Sequence, residues 1–248
     1  MFTRLLCALC LLLPSLALAD GLNLAVAANF KRPLEQLVAL FDPRHEHDIT
    51  ISSASTGMLY TQIHQGAPFD IFFAADRVRP ERLEREGLGL PGSRMTYATG
   101  QLALWQPAGQ PVSIADLSSG ALAIANPRTA PYGLAAQQAL TAIGRWNDIR
   151  VIQGSNIAQA FQFIHSGNVS QGLVAQALLI QQNIPASQWA PVDPRLHLPV
   201  EQQLIRLRRS AGNPLAERFI EFLHSEPAQE LITQSGYISI EGANHAAH

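Results

Sequence analysis

This 248-residue sequence predicts an α/β fold built on mainly parallel sheets, and three observations carry that reading. Short apolar runs alternate with stretches whose apolar residues recur at helical spacing, the pattern of strand–helix units laid on a parallel sheet. The composition is 47% hydrophobic and 15% charged, the balance of a compact globular chain. No fixed-period repeat, coiled-coil heptad or low-complexity tract interrupts the alternation.

Leu22 to Ala27 (LNLAVA) reads as the first strand. A helix follows, with Phe30, Leu34, Leu37, Val38 and Phe41 on one face and Pro33 in its first turn, where a missing N–H costs little. Ile49 to Ser53 alternates as a second strand, and Thr56-Gly57 opens a short helix carrying Leu59, Tyr60 and Ile63. Asp70 to Ala74 is a buried strand, followed by a charged helix from Pro80 to Glu86. Gln101 to Trp105 begins a new block. Ala121 to Ala125 is its next strand, Pro131-Tyr132-Gly133 leads into a helix to about Ile143, and Asp148 to Gln153 is a strand. Asn156 to His165 is helical, Gly172 to Ala175 is a strand with a helix behind it, and Leu204 to Arg208 is the last strand. Asn213 to His224 and Pro227 to Gln234 are terminal helices, the first capped by Asn213 with Pro214 at its first position. The small polar tail from Glu241 to His248 is expected to be disordered.

The first 20 residues differ from the rest. Arg4, an apolar run from Leu5 to Leu18 and the Ala17-Leu18-Ala19 triplet form a secretory signal, with cleavage expected between Ala19 and Asp20. The run is too short to span a bilayer as a helix. Both cysteines, Cys7 and Cys10, lie inside it, so the exported chain is expected to lack disulfides, thiolate metal sites and a cysteine nucleophile. Neither Cys follows the apolar run, as a lipid anchor would require. Without Arg4 the chain has 16 basic and 19 acidic residues, which gives no basic face for nucleic acid.

In parallel α/β sheets ligands sit beyond the carboxyl ends of strands, against helix N-termini. Four such junctions carry small or hydroxyl-bearing residues and few charges: Ala27-Ala28-Asn29-Phe30, Ala54-Ser55-Thr56-Gly57, Pro131-Tyr132-Gly133 and Gly154-Ser155-Asn156-Ile157. A helix N-terminus offers unpaired N–H donors and a partial positive charge, so it attracts an anion. The plainer reading is that Ser, Thr and Asn there are ordinary helix caps. Four junctions of this kind in one exported α/β chain weigh against that reading.

The segments LNLAVAANFKRPLEQL, SSASTGMLYTQIHQGAPFDIFFAAD, PYGLAAQQAL, GSNIAQAF and QGLVAQ resemble the periplasmic molybdate-binding proteins of ABC importers, from about Leu22 to Tyr237. The resemblance implies a two-lobed periplasmic-binding-protein fold of type II, each lobe a mainly parallel sheet flanked by helices. It divides the chain into a signal peptide (1–19), a discontinuous first lobe (20–98 with 199–248) and a second lobe (99–198). It implies a tetrahedral oxyanion, molybdate or tungstate, held by hydrogen-bond donors without a counter-ion. The carried-over binders are Ala28, Asn29, Ser55 and Thr56 from the first lobe, and Tyr132 and Ile157 from the second. It implies no cofactor, no side chain ligating a metal directly, a membrane permease as partner, no membrane insertion, a monomer, and a periplasmic location. This chain departs from the family at Asn29, where some members have Ser, so that an amide would replace a hydroxyl donor, and at Ala175, where some use Tyr. Tyr132, in the neighbouring loop, is left as the phenol donor.

Other readings are weaker. Sulfate or chromate would suit the same donors, and cavity size rather than sequence separates them. A secreted hydrolase would need more than Ser55 or Ser155: there is no G-x-S-x-G and no His in a matching junction. His45, His47 and the tail histidines from His245 to His248 lie in polar segments without H-E-x-x-H, as solvated residues do. Arg77, Arg79, Arg82 and Arg85 alternate with Glu81, Glu84 and Glu86, which reads as a salt-bridged helix face. Trp105, Trp146 and Trp189 are expected in the core or at a hinge.

Overall fold

Two five-stranded sheets, each flanked by helices, make up the computed structural model, which describes residues 21–238. The expected signal peptide with its cleavage site and the tail from Glu241 lie outside the described residues. Among the described residues no helix is long and apolar enough to cross a membrane.

The first sheet begins with β1 (Leu22–Ala27), α1 (Lys31–Phe41), β2 (Ile49–Ala54), α2 (Thr56–His64), β3 (Ile71–Ala74) and α3 (Val78–Arg85). β1 is apolar on both faces because it lies inside the sheet, while β2 alternates because it lies at an edge. β1 pairs in parallel with β2, Leu22 opposite Ile49, and with β3, Leu24 opposite Ile71. β4 (Met95–Gly100) then leads, through the single residue Gln101, into β5 (Leu102–Trp105) of the second sheet.

There follow β6 (Ala121–Ala125), α4 (Pro131–Ala142), β7 (Arg150–Gly154), α5 (Ile157–His165), β8 (Gly172–Ala175), α6 (Gln176–Gln181) and β9 (Trp189–Pro191). β10 (Val200–Arg206) returns to the first sheet, and α7 (Pro214–Leu223) and α8 (Glu226–Gln234) close the chain. The sheet orders are β2-β1-β3-β10-β4 and β7-β6-β8-β5-β9. In each, four strands run one way and one runs against them, β10 in the first and β5 in the second. Those reversed strands are the ones that enter a sheet directly after a crossing.

Most expected elements stand within a few residues of their positions. β4 and β9 were not expected, and β10 begins at Val200 rather than Leu204. The Asn213 cap is present: its Oδ1 accepts from the Leu215 N–H at 3.0 Å. Trp105 is buried in β5 and stacks on Phe161 with ring centroids 4.6 Å apart, and Trp146 and Trp189 pack at the edge of the same core. The arginine-rich helix face is ion-paired, with Arg82 to Glu86 along the helix and Glu84 to Arg94 beyond it.

Candidate functional site

All four junctions meet between the sheets. Ala28, Asn29, Ser55, Thr56, Tyr132 and Ile157 line one small cavity there. Its volume is about 10 Å³, about the space of one water molecule. Asn29, Ser55, Thr56, Tyr132 and Ile157 are each no more than 3% exposed. Among the described residues no Asp, Glu, Lys, Arg or His lines the cavity.

Four helices point their N-termini at this space: α1, α2, α4 and α5, of 11, 9, 12 and 9 residues. Each contributes partial positive charge, which favours an anion over any neutral group of the same size. Among the described residues the backbone N–H groups of Asn29, Thr56, Tyr132 and Ile157 have no hydrogen-bond acceptor. For the last three this follows from their place in a first helical turn, where no earlier carbonyl is in reach.

The side chains divide into caps and donors. Asn156 caps α5, its Oδ1 accepting from the Gln159 N–H at 3.0 Å. Ser55 caps α2, accepting from the Met58 N–H at 3.4 Å. Thr56 Oγ1 accepts from the Ala75 N–H at 3.1 Å. Each hydroxyl thus accepts one bond and keeps its proton to give away. Tyr132 is buried with its hydroxyl unpaired among the described residues, and burial pushes its pKa well above the ordinary phenol value. A buried donor without an acceptor is costly unless something supplies one.

Two of the expected binders contribute differently from expectation. The Ala28 N–H donates to Ala54 O at 3.0 Å, so Ala28 forms wall rather than donor. The Asn29 amide was expected to stand in for a hydroxyl. Instead its Nδ2 donates to Gln202 Oε1 at 2.7 Å and to the Tyr237 hydroxyl at 3.0 Å, while that hydroxyl donates to Asn29 O at 2.8 Å. Gln202 Nε2 donates to Val200 O, which fixes the sense of both amides. The side chain of Asn29 therefore anchors its loop, and its backbone N–H is what remains free. Gln202 and Tyr237 were missed in the sequence, because neither stands at a strand-to-helix junction.

Outside the cavity, and sharing Ala75, Ala130 and Pro131 with it, opens a cleft of about 890 Å³ whose walls carry Arg77, Arg79, Arg82 and Arg128. Among the described residues no group of three His, Cys, Asp or Glu side chains is placed to hold a metal ion.

A family model described as bacterial extracellular solute-binding protein matches residues 22–238. The chain belongs to that family. Among curated relatives of this solute-binding protein, the molybdate-binding protein ModA of Rhodobacter capsulatus is 36% identical over 91% of this chain and 94% of its own. The protein of the same name from Azotobacter vinelandii is 38% identical, over 91% and 93%. The solved periplasmic molybdate-binding protein of Azotobacter vinelandii superposes with a TM-score of 0.82 at 35% identity, covering 88% of this chain and 98% of that one.

Proposed function

We propose that this solute-binding protein captures molybdate, and tungstate with it, between its two lobes and delivers it to a membrane permease. The observation that supports this most directly is the cavity itself: converging helix N-termini, free hydroxyl and N–H donors, and no carboxylate among the lining residues. Molybdate at neutral pH is a fully deprotonated, doubly charged tetrahedron that only accepts hydrogen bonds. Phosphate retains a proton and would need an acceptor in the cavity, and none of the lining side chains is a carboxylate. The relatives named for molybdate add the identity of the anion.

Asn29, Ser55 and Thr56 approach from the first lobe, and Tyr132 and Ile157 from the second, so binding and closure are coupled. Residues 20–98 with 199–248 would move against residues 99–198; the change of sheet between Gly100 and Leu102, and again between Pro191 and Val200, supports that division. A signal peptide cut after Ala19 supports a periplasmic location, where the working protein would act as a monomer. Among the described residues no histidine lines the cavity beside Ser55, which favours carriage of the anion over hydrolysis.

Thermal unfolding of the mature protein against a panel of oxyanions tests the reading. Ligand at about a thousand times its dissociation constant adds about 4 kcal/mol, a rise of roughly 8–16 °C for a chain of this size. Molybdate and tungstate should raise the midpoint, and sulfate and phosphate should not. A flat response to all four rejects oxyanion binding, while an equal response to sulfate rejects only the selectivity.

A further inference from the structure

The lobes also touch at a rim that the anion donors do not explain. Gly57, the second residue of α2, donates its N–H across the cleft to Thr129 O at 2.8 Å. Beside it, Arg79 of α3 donates from Nη2 to Arg128 O at 3.3 Å. Both acceptors belong to one turn, tied by the Ala130 N–H to Asn126 O at 2.9 Å and the Arg128 N–H to Asn126 Oδ1 at 3.0 Å. Arg79 is held in place by its ion pair with Asp76, whose Oδ1 also accepts the Arg79 N–H at 2.9 Å. Neither Gly57 nor Arg79 lines the anion cavity.

The approach at Gly57 leaves no space for a side chain. A Cβ there would lie 2.9 Å from Thr129 O, 3.0 Å from Thr129 Cα and 3.2 Å from Arg79 Nη2. The first two are backbone atoms of the opposite lobe, and they yield only if the lobes separate. Gly57 does not have a left-handed backbone, so the close approach, not a turn, requires glycine.

We infer that Gly57 and Arg79 form a latch that fastens the closed state and slows escape of the anion, acting as positioning residues that never touch it. This rests on the reading of the cavity given above. In the open state the latch contacts are absent, so the latch adds affinity through closure alone.

The test is binding and release of molybdate by the mature protein, with the unfolding midpoint of the ligand-free form measured alongside. Gly57→Ala should raise the dissociation constant about tenfold or more, mainly through faster release, because overpacking falls on the closed state only. Its ligand-free midpoint should hold or rise, since Ala is the better helix residue. Arg79→Met should speed release about threefold, the loss of one exposed hydrogen bond. Should Gly57→Ala lower the ligand-free midpoint, the change has harmed its own lobe and Arg79→Met decides. Unchanged release in that variant overturns the latch, as does wild-type release in a stably folded Gly57→Ala. Wild-type protein that binds no oxyanion rejects the functional reading and the latch together.

Discussion

The two halves of the cavity are made of different materials. The first-lobe half stands on aromatic rings: Phe30 lies 4.7 Å from Tyr97 and 5.2 Å from Tyr237 between centroids, and Phe73 lies 5.4 Å from Tyr97. Those rings fill the space under the Asn29 loop, and the Asn29–Gln202–Tyr237 hydrogen bonds fix its direction. The second-lobe half stands on alanine and glycine. α4 buries Gly133, Ala135, Ala136 and Ala139, and a Cβ on Gly133 would come within 2.7 Å of the Ala125 carbonyl carbon. One half thus positions its donors by filled volume and side-chain hydrogen bonds, the other by direct approach of backbone to backbone. The first kind of support tolerates small changes of shape, because neighbouring rings can readjust. The second tolerates no added atom, because backbone has nowhere to go.

The largest effect should come from breaking the second kind of support. Gly133→Val forces α4 off the end of β6 and should cost about 3 kcal/mol of stability. At roughly 2–4 °C per kcal/mol that is a fall of about 6–12 °C in the unfolding midpoint. The molybdate-induced rise should disappear with it, because the N–H of Tyr132 is displaced. A Gly133→Val protein with normal binding would show that α4 need not sit directly on β6.

Tyr132→Phe separates the same half's packing from its chemistry. The hydroxyl has no protein partner among the described residues, so its removal should leave the ligand-free midpoint unchanged or higher. Binding should weaken by about 1–3 kcal/mol, the loss of one hydrogen bond to a charged group. Titration calorimetry with molybdate reads the second quantity. An unaltered dissociation constant would place the phenol outside the anion's reach.

In the first-lobe half the expected cost is smaller and falls on stability first. Gln202→Leu removes the acceptor of the Asn29 amide while keeping most of the volume, and should cost about 1–2 kcal/mol in unfolding free energy. Denaturant titration of the ligand-free protein measures it. A neutral result would mean that the rings alone hold the loop.

How far the sequence could be read follows from the same contrast. β1, β6 and β8 were legible to the residue because buried strands are unbroken apolar runs bounded by small or polar residues. β4 and β9 were not: they are edge strands, MTYATG and WAP, with no apolar run to mark them. The cavity is lined where strands meet helices, so its four junctions were legible from local pattern, while the resemblance to the molybdate-binding family singled out Asn29, Thr56, Tyr132 and Ile157 within them. What was hidden lay far off in the chain. Asn29 finds Gln202 and Tyr237 across 173 and 208 residues, and local sequence carries no mark of such a partner. For the same reason Asn29 read as a side-chain donor to the ligand when its amide was already engaged elsewhere.

The smallest effect concerns pH, and it joins the two halves. Tyr97 and Tyr237 from the first lobe and Tyr132 from the second are all buried, and desolvation raises each phenol above its ordinary value. Folded, these groups keep their protons at a pH where the unfolded chain has lost them. Their contribution to stability is therefore complete below about pH 10, the unfolded phenol value, and declines as pH rises above it. Unfolding midpoints should accordingly begin to fall beyond about pH 10, with the tyrosinate absorbance of these three, as distinct from that of the surface residue Tyr60, appearing together with unfolding rather than before it. Molybdate binding should be flat from about pH 6 to 9, since N–H groups, aliphatic hydroxyls and a phenol of raised pKa do not titrate there. Affinity that changed by one proton near pH 7 would require a histidine or carboxylate at the anion. That outcome would break the feature both halves share, a cavity that holds charge with dipoles and hydroxyls alone.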